Sequence, residues 1–200
     1  MPPYTPTEAP EPADDAVQEA TPEALAATGD IAPEETLEQT PSTPPDRAPV
    51  LVGWREWVTL PDVGVPWIKA KIDTGARTSA LHAFDMLEWR DDRGVARVTF
   101  WVNPWQKSAA DAVRLTRPVH DRRSVRSSSG HTEQRVVVLL DLVLREERTT
   151  AEVTLTSRDE MGFRMLIGRE ALRQGFVVDS AASYLGGRPP VAHRRRNRGR

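Results

Sequence analysis

Residues 70–82 read Ala-Lys-Ile-Asp-Thr-Gly-Ala-Arg-Thr-Ser-Ala-Leu-His, which sets one carboxylate between two apolar segments. Side chains alternate along an extended strand, so the apolar residues face one side while the lysines and Asp73 face the other. Gly75 suits a turn that needs unusual backbone angles, and Thr74 offers a hydroxyl for a local hydrogen bond. The stretch therefore predicts a strand that ends in an acid held by a tight turn.

The two ends of the chain carry opposite charges. Residues 1–46 contain eleven acids and ten of the 17 prolines but no Lys or Arg. Such a segment cannot bury enough apolar surface to offset the entropy lost on ordering, so we predict a disordered acidic arm there. Residues 188–200 contain six arginines. We predict a disordered, solvated basic tail, the one part of the chain that could reach nucleic acid, although no such partner is expected.

The remaining residues, 47–187, are numerous enough for one domain with its own core. Cysteine is absent from the sequence, which excludes a disulfide framework and a cysteine nucleophile. No basic segment precedes an apolar run, and no apolar run reaches about 18 residues, so neither a signal peptide nor a membrane span is expected. These features predict a cytoplasmic protein.

Short runs rich in Val, Ile, Leu, Thr and Trp predict the strands of this domain. They lie at 50–60, 67–72, 78–83, 95–102, 112–119, 135–144, 149–156, 165–168 and 176–179. A single short helix is predicted at 169–174, where Gly175 stops it. A chain of many short strands must remove its sheet edges, so we expect an all-β fold, a closed antiparallel barrel with one short C-terminal helix.

An Asp-Thr-Gly tripeptide alone is weak evidence, but Gly168 follows Asp73 by 95 residues in an apolar-apolar-Gly segment. This pair of segments resembles the retropepsin-like aspartic proteases, in which such a segment braces the strand that carries the acid. The resemblance is closer to a bacterial family labelled ATP-dependent zinc proteases, which is associated with ATP-grasp ligases of the RimK type. The segments similar to that family are 53–61, 70–82, 128–130, 158–161 and 165–169.

The resemblance implies a retropepsin-like protease domain over 47–187 and assigns roles to particular residues. The catalytic turn would be Asp73, Thr74 and Gly75, and the structural brace would be Leu166, Ile167, Gly168 and Arg169. In an aspartic mechanism two carboxylates about 3 Å apart share one proton. This chain offers one such Asp, so a homodimer would have to supply the second copy of Asp73.

Residues 121–133 are polar and contain a glycine, which is typical of either an exposed loop or a flap that covers a substrate. The flap reading assigns substrate contacts to Ser128, Ser129, Gly130 and His131. The expected ligand of the groove is a peptide or protein substrate.

Two alternatives to the aspartic peptidase stay open. A zinc peptidase needs three protein ligands and an open position, and His82 and His131 are its candidate ligands, although no His-Glu-x-x-His spacing occurs. The favoured prediction is therefore no cofactor, with zinc as the alternative. A non-catalytic module could instead bind a peptide or an ATP-grasp ligase, and Arg77 favours it, because a cation paired with Asp73 would oppose proton sharing. The chain lacks a phosphate-binding loop, so any ATP dependence would come from that partner.

Overall fold

The computed structural model describes residues 48–126, 130, 132–159 and 161–199, and the side chain of Arg126 is not described. The described chain is mostly β-strand. The strands are β1 Val50–Gly53, β2 Arg55–Leu60, β3 Val65–Asp73, β4 Ser79–His82, β5 Phe84–Arg90, β6 Ala96–Val102, β7 Val113–Pro118, β8 Asp121–Arg126, β9 Thr132–Leu144, β10 Glu147–Thr156, β11 Met165–Gly168 and β12 Phe176–Asp179. The helices are α1 Arg169–Leu172 and α2 Val191–Asn197. The acidic arm predicted at 1–46 lies outside the described residues.

The largest sheet has the strand order β10-β4-β11-β3-β2-β9-β8. Strand β9 also pairs with β10, so the six strands from β10 to β9 form a closed cycle of pairings. The expectation of an all-β fold is thus confirmed, while the closed barrel stays a prediction. The expectation of antiparallel pairing throughout is wrong, because β11 runs parallel to β3, β10 runs parallel to β4, and β1 runs parallel to β12.

The core consists of the inward residues of this sheet together with those of a second sheet, β5-β6-β7. Along β3 the residues Ile68, Ala70 and Ile72 are buried, whereas Lys69 and Lys71 lie on the outer side. From the second sheet, Phe100 of β6 packs fully buried into the same core. Burying one such large apolar side chain stabilises the fold by about 1.5–3 kcal/mol. Strand β3 therefore keeps its apolar residues on the core side, and the alternation of side chains places Asp73 on the opposite face.

Strands β5 and β8 do not follow from the sequence pattern. Six of the seven residues of β5 are exposed, so no alternation between apolar and polar residues marks that strand. Strand β8 falls in the polar segment 121–133, which we expected to be a loop, yet it pairs with β9 from Asp121 to Arg126. An ion pair of Arg123 with Glu152 at 2.5 Å also joins β8 to β10.

A buried glutamate ties the two ends of the domain together. Glu56 of β2 has no exposed surface, and its Oε1 accepts hydrogen bonds from the backbone N–H of Gly53 at 2.7 Å and of Leu185 at 2.9 Å. Its Oε2 accepts a third bond from the N–H of Gly186 at 3.2 Å. A buried carboxylate is stable only when such donors replace its water, so Glu56 holds the 185–186 turn against β2.

The C-terminal segment differs from the predicted disordered tail. Residues 191–197 form α2, and its His193 ring lies 5.5 Å from the ring of Trp105. Arg196 pairs with Asp111 at 2.6 Å, and the Asn197 side chain accepts a hydrogen bond from the N–H of Gln106. Contacts with the 105–111 segment therefore offset the repulsion among the arginines. The local sequence does not reveal these contacts.

Candidate active site

Asp73 is the last residue of β3 and lies on its outer side, as the alternation along the strand predicted. Its side chain is 24% exposed, so the carboxylate faces solvent without being surrounded by it. The chain turns immediately afterwards, through the exposed residues Thr74 and Gly75. Among the residues described, no side-chain partner occurs for the Thr74 hydroxyl, so that group is available for other contacts.

The turn after Asp73 folds back onto its carboxylate. Asp73 Oδ1 accepts hydrogen bonds from the backbone N–H groups of Gly75 at 3.1 Å and Ala76 at 3.2 Å. A Cβ on Gly75 would lie 3.3 Å from the same oxygen, so a larger residue would crowd the carboxylate. This Asx-type turn fixes one oxygen of Asp73 and leaves Oδ2 directed away from the backbone.

Lys71 is the cation that pairs with Asp73. Its Nζ donates a hydrogen bond to Asp73 Oδ2 at 2.9 Å, because residues two apart on a strand lie on the same face. The expectation that Arg77 would pair with Asp73 is wrong, since Arg77 lies 3.7 Å from Glu170 of α1 instead. Partial burial acts to raise the pKa of Asp73, but the Lys71 ammonium and the N–H groups of Ala76 and Gly75 lower it below its ordinary value. The carboxylate is therefore an anion in a single copy of the chain.

The brace segment lies directly beside Asp73. Strand β11 runs parallel to β3 in a register that pairs Gly168 with Asp73 and Ile167 with Ile72. A Cβ on Gly168 would lie 2.5 Å from the carbonyl atoms of Thr78 and 2.9 Å from the carbonyl oxygen of Arg77. Only glycine allows this close approach of two backbones, so Gly168 sets the distance between β11 and the loop that follows Asp73.

Backbone hydrogen bonds fasten the same loop to the start of α1. The N–H of Arg169 donates to the carbonyl of Ala76 at 2.9 Å, and the N–H of Glu170 donates to the carbonyl of Arg77 at 3.1 Å. The structure therefore places Leu166, Ile167 and Gly168 beside Lys71, Ile72 and Asp73, with Arg169 next in the chain, and their role as a brace stays a prediction.

Two buried hydroxyl groups complete the brace, and the sequence analysis did not identify them. Ser79 Oγ accepts a hydrogen bond from the N–H of Gly168 at 3.2 Å, and both residues are buried. Thr154 Oγ1 donates to the carbonyl of Ser79 at 2.9 Å across the parallel β10-β4 pair. A serine within an otherwise apolar strand was the available signal, because a buried hydroxyl needs a partner.

Arg158 is a further cation whose electrostatics involve Asp73. Burial lowers the pKa of the Arg158 guanidinium and the charge of Arg135 lowers it further, while the Asp73 carboxylate acts in the opposite direction. The Arg158 Nε donates to the carbonyl of Phe163 at 3.2 Å. Lys71 is thus the cation that hydrogen-bonds to Asp73, whereas Arg158 interacts with Asp73 through its charge alone.

His82, a candidate zinc ligand, is buried at the end of β4 with both ring nitrogens in contact. Its Nδ1 accepts the N–H of Arg158 at 2.9 Å, and its Nε2 lies 3.4 Å from Asp159 Oδ1. Burial lowers the pKa of His82, as does the charge of Arg164, so the ring is neutral. His131, the other candidate, lies outside the described residues. Within the described part of the chain, no group of three or more His, Asp or Glu side chains could hold a metal ion.

The predicted flap is described only in part. Strands β8 and β9 pair antiparallel down to Arg126 and Thr132, so the described ends of the predicted flap are two paired strands. Gly130 is exposed and has a φ of 83°, which glycine adopts readily. Ser128, Ser129 and His131 lie outside the described residues, and their contact with substrate stays a prediction.

This domain is of the retropepsin-like class. It is mostly β-strand, an Asp-Thr-Gly turn ends one strand, and a glycine of a neighbouring strand packs against that turn. A family model described as "Retropepsin-like aspartic endopeptidase RimB" matches residues 51–189, and the chain belongs to this RimB-like family.

Similar proteins include two curated relatives named "Probable alpha-L-glutamate ligase". The relative from Parasynechococcus marenigrum is 46% identical over 136 residues, and the one from Desulfotalea psychrophila is 41% identical over 136 residues. Each match covers 68% of this chain and 29% of the relative, so the chain spans less than a third of their length.

A crystal structure of a Legionella pneumophila protein of unknown function is also similar. It has a TM-score of 0.59 and 26% identity, and the match covers 68% of this chain and 98% of that one. In the part of this chain that the structure describes, no helix has both the length and the apolar character needed to cross a membrane.

Proposed function

We propose that this protein is a peptidase of the retropepsin-like aspartic type, active as a homodimer with a closed barrel in each copy. The observation that supports this most directly is the pose of Asp73, whose Oδ1 is held by two backbone N–H groups on a loop fixed by Gly168. Each copy supplies one such carboxylate. A two-fold axis through the site would bring the second Asp73 opposite the first.

In this mechanism the two carboxylates share one proton. The ionised carboxylate takes a proton from a water molecule, which attacks the scissile carbonyl carbon, and the protonated carboxyl donates its proton to the carbonyl oxygen. Lys71 occupies the Oδ2 side of Asp73 in a single copy. Its side chain is 45% exposed, so it can swing aside when a second carboxylate approaches, and the pKa of one Asp73 then rises because like charges repel.

The cations near Asp73 favour an acidic peptide as substrate. Lys71 hydrogen-bonds to Asp73, Arg158 interacts with it through its charge, and Arg77 on the same loop is 72% exposed, with Glu170 3.7 Å away as its partner. Two relatives are named as ligases of L-glutamate. We therefore infer that peptides with α-linked glutamate residues are substrates, since their carboxylates would complement these cations.

The decisive experiment combines Asp73→Asn with subunit mixing. Cleavage of glutamate-containing peptides should be lost in Asp73→Asn, and sedimentation should show a dimer of the native protein. Adding excess Asp73→Asn protein to the native protein should lower its activity, because each mixed dimer holds only one catalytic carboxylate. Unchanged activity on mixing, or cleavage by a strictly monomeric protein, would exclude the shared site.

A second candidate is a non-catalytic module that works with an ATP-grasp ligase. The observation that favours it is that the region similar to this chain forms 29% of longer relatives named as ligases. In that case the native protein and Asp73→Asn should change the rate of glutamate ligation by such an enzyme to the same extent. A peptidase would instead shorten the ligation products, and Asp73→Asn would leave them intact.

A further inference from the structure

A second polar site lies between the outer face of β2 and β3 and helix α2. It is a cavity of about 270 Å³, and no lining residue is acidic. Five of the lining residues are cations, namely Arg55, Lys69, Arg188, Arg194 and Arg198. A neighbouring cavity of about 480 Å³ shares Lys69 and Arg198 and adds a sixth cation, Lys107.

Several other arginines of the described chain form ion pairs with carboxylates. Arg97 pairs with Asp91 at 2.8 Å, and Arg148 pairs with Asp141 at 2.5 Å. By contrast, within the part of the chain that is described, no carboxylate lies within ion-pair distance of any of the cations that line the two cavities. Like charges in a partly buried space repel each other, so an anion that bound among these cations would be stabilised by all of them.

Aromatic rings hold three of these cations in place. The Arg55 guanidinium lies 4.4 Å from the Trp54 ring centroid and 5.0 Å from that of Tyr184, and Arg188 lies 4.7 Å from Tyr184. The Lys69 ammonium lies 4.4 Å from the ring centroid of Phe163. Arg55, Lys69 and Arg188 are therefore positioned before any ligand arrives, which lowers the entropic cost of binding.

Two further observations indicate that these cations favour an anionic ligand. The Nε atoms of Arg55 and Arg194 are buried and have no hydrogen-bond partner among the described residues. Burial lowers the pKa of Lys69, and the charges of Arg55 and Arg198 lower it further. A bound anion would accept hydrogen bonds from these donors and remove the repulsion that acts on Lys69.

We propose that this cavity binds a small anion with several phosphate groups, held by Arg55, Lys69, Arg188, Arg194 and Arg198. Guanidinium groups bind phosphate oxygens in pairs, and a lysine adds a compact point charge. A volume near 270 Å³ is at the lower end for ligand pockets, which suits a small molecule. The neighbouring cavity with Lys107 gives room for the ligand to extend past the first phosphate groups.

Charge density favours phosphate over an acidic peptide here. A phosphate group carries about −1.5 to −2 at neutral pH. In an extended peptide, carboxylates on the same side repeat only about every 6–7 Å and each carries a single charge. Five cations converging on one small cavity are thus neutralised better by phosphate groups. The site is separate from the proposed peptidase chemistry, and its test does not depend on cleavage.

The test uses sodium tripolyphosphate and the full-length protein in isothermal titration calorimetry at low salt. We expect saturable one-to-one binding that weakens at least tenfold in Lys69→Met and in Arg198→Ala, and that weakens as salt is added. Arg93→Ala is the matched control, because Arg93 is an exposed cation of the β5-β6 turn that lines neither cavity. It should bind as tightly as the native protein.

Thermal unfolding supplies a second measurement that separates binding from misfolding. Without ligand, Lys69→Met should melt at the native temperature or above it, because the substitution removes repulsion. With tripolyphosphate, the native melting temperature should rise, and that of Lys69→Met should rise by less at the same ligand concentration. Absence of saturable binding, or equal binding by Lys69→Met, would overturn the proposal. The proposal would also be overturned if a triglutamate peptide bound as tightly as tripolyphosphate. That result would assign the cavity to acidic peptides.

Discussion

Gly168→Ala is the substitution for which the structure gives the clearest expectation. The new methyl group would lie 2.5 Å from the Thr78 carbonyl atoms and 2.9 Å from the Arg77 carbonyl oxygen, and these are backbone atoms that cannot rotate away. Overpacking of this kind costs about 1–3 kcal/mol. Separating β11 from the loop also weakens the bonds from Arg169 to Ala76 and from Glu170 to Arg77, which adds about 1 kcal/mol.

The free energy of unfolding should therefore fall by about 2–4 kcal/mol. In a domain of this size that corresponds to a melting temperature lower by roughly 5–15 °C. The backbone at Gly168 has φ −90° and ψ 170°, which any residue can adopt, so the loss would come from the steric clash alone. Urea unfolding followed by circular dichroism measures the change.

Gly162→Ala is the matched control, because a Cβ at that position meets no atom within 4 Å. Its stability should stay within about 0.5 kcal/mol of the native value. If Gly168→Ala is as stable as Gly162→Ala, the close approach of β11 to the loop is not what holds the loop in place. At a temperature where both variants are folded, Gly168→Ala should also cleave peptide more slowly, because the loop that holds Asp73 is displaced.

Three stability predictions and one activity prediction follow from other contacts. The pKa of Asp73 is lowered on folding, so its carboxylate stabilises the native state at pH values above its ordinary pKa of 3.8. That stabilisation is lost as the pH falls below 3.8 and through the pKa of the folded state. Asp73→Asn should therefore show a smaller drop in melting temperature between pH 5 and pH 2.5 than the native protein, and an equal drop would refute this. The pKa of His82 is lowered from 6.5, so stability should fall as the pH drops below that value. In His82→Phe this pH dependence should vanish, and a pH profile equal to that of the native protein would contradict the role given to His82. At pH 7.5 the unpaired N–H of Arg158 should lower the free energy of unfolding by about 1–3 kcal/mol, measured by urea unfolding. Glu56→Ala leaves three backbone donors without a partner and should cost roughly 3–5 kcal/mol, whereas Glu88→Ala, which removes an exposed pair with Arg122, should cost less than about 1 kcal/mol in the same assay. Peptide cleavage should survive dialysis against EDTA, and a loss that added zinc restores would favour the zinc alternative.

The elements next to Asp73 were predictable because they depend on local periodicity. Alternation along 68–73 predicted the outward position of Asp73, and the apolar-apolar-Gly pattern predicted a short strand at 165–168, which the structure pairs with β3. The partner of Asp73 was predicted incorrectly. Sequence spacing made Arg77 a candidate, but the turn after Asp73 carries Arg77 towards α1, while Lys71 stays on the same face of the strand.

The parts that the sequence did not reveal depend on long-range contacts. Helix α2 is held by Trp105 and Asp111, which lie far from it in the sequence, so its own arginine-rich composition indicated disorder. Strand β5 is mostly exposed and owes its conformation to pairing with β6. The parallel pairs are also invisible to local patterns, because the alternation of side chains is the same in parallel and antiparallel strands.

The three hydrogen bonds to Glu56 have a consequence for the order in which the chain folds. The N–H of Leu185 is 129 residues from Glu56 in sequence, so this contact closes a loop that spans nearly the whole domain. The entropy of closing a loop grows with its length, and contacts of such high sequence separation form late in folding. By the same reasoning, β1 and the 185–186 turn detach first when the native protein opens. In hydrogen exchange, their amides should lose protection before those that join β3 to β11.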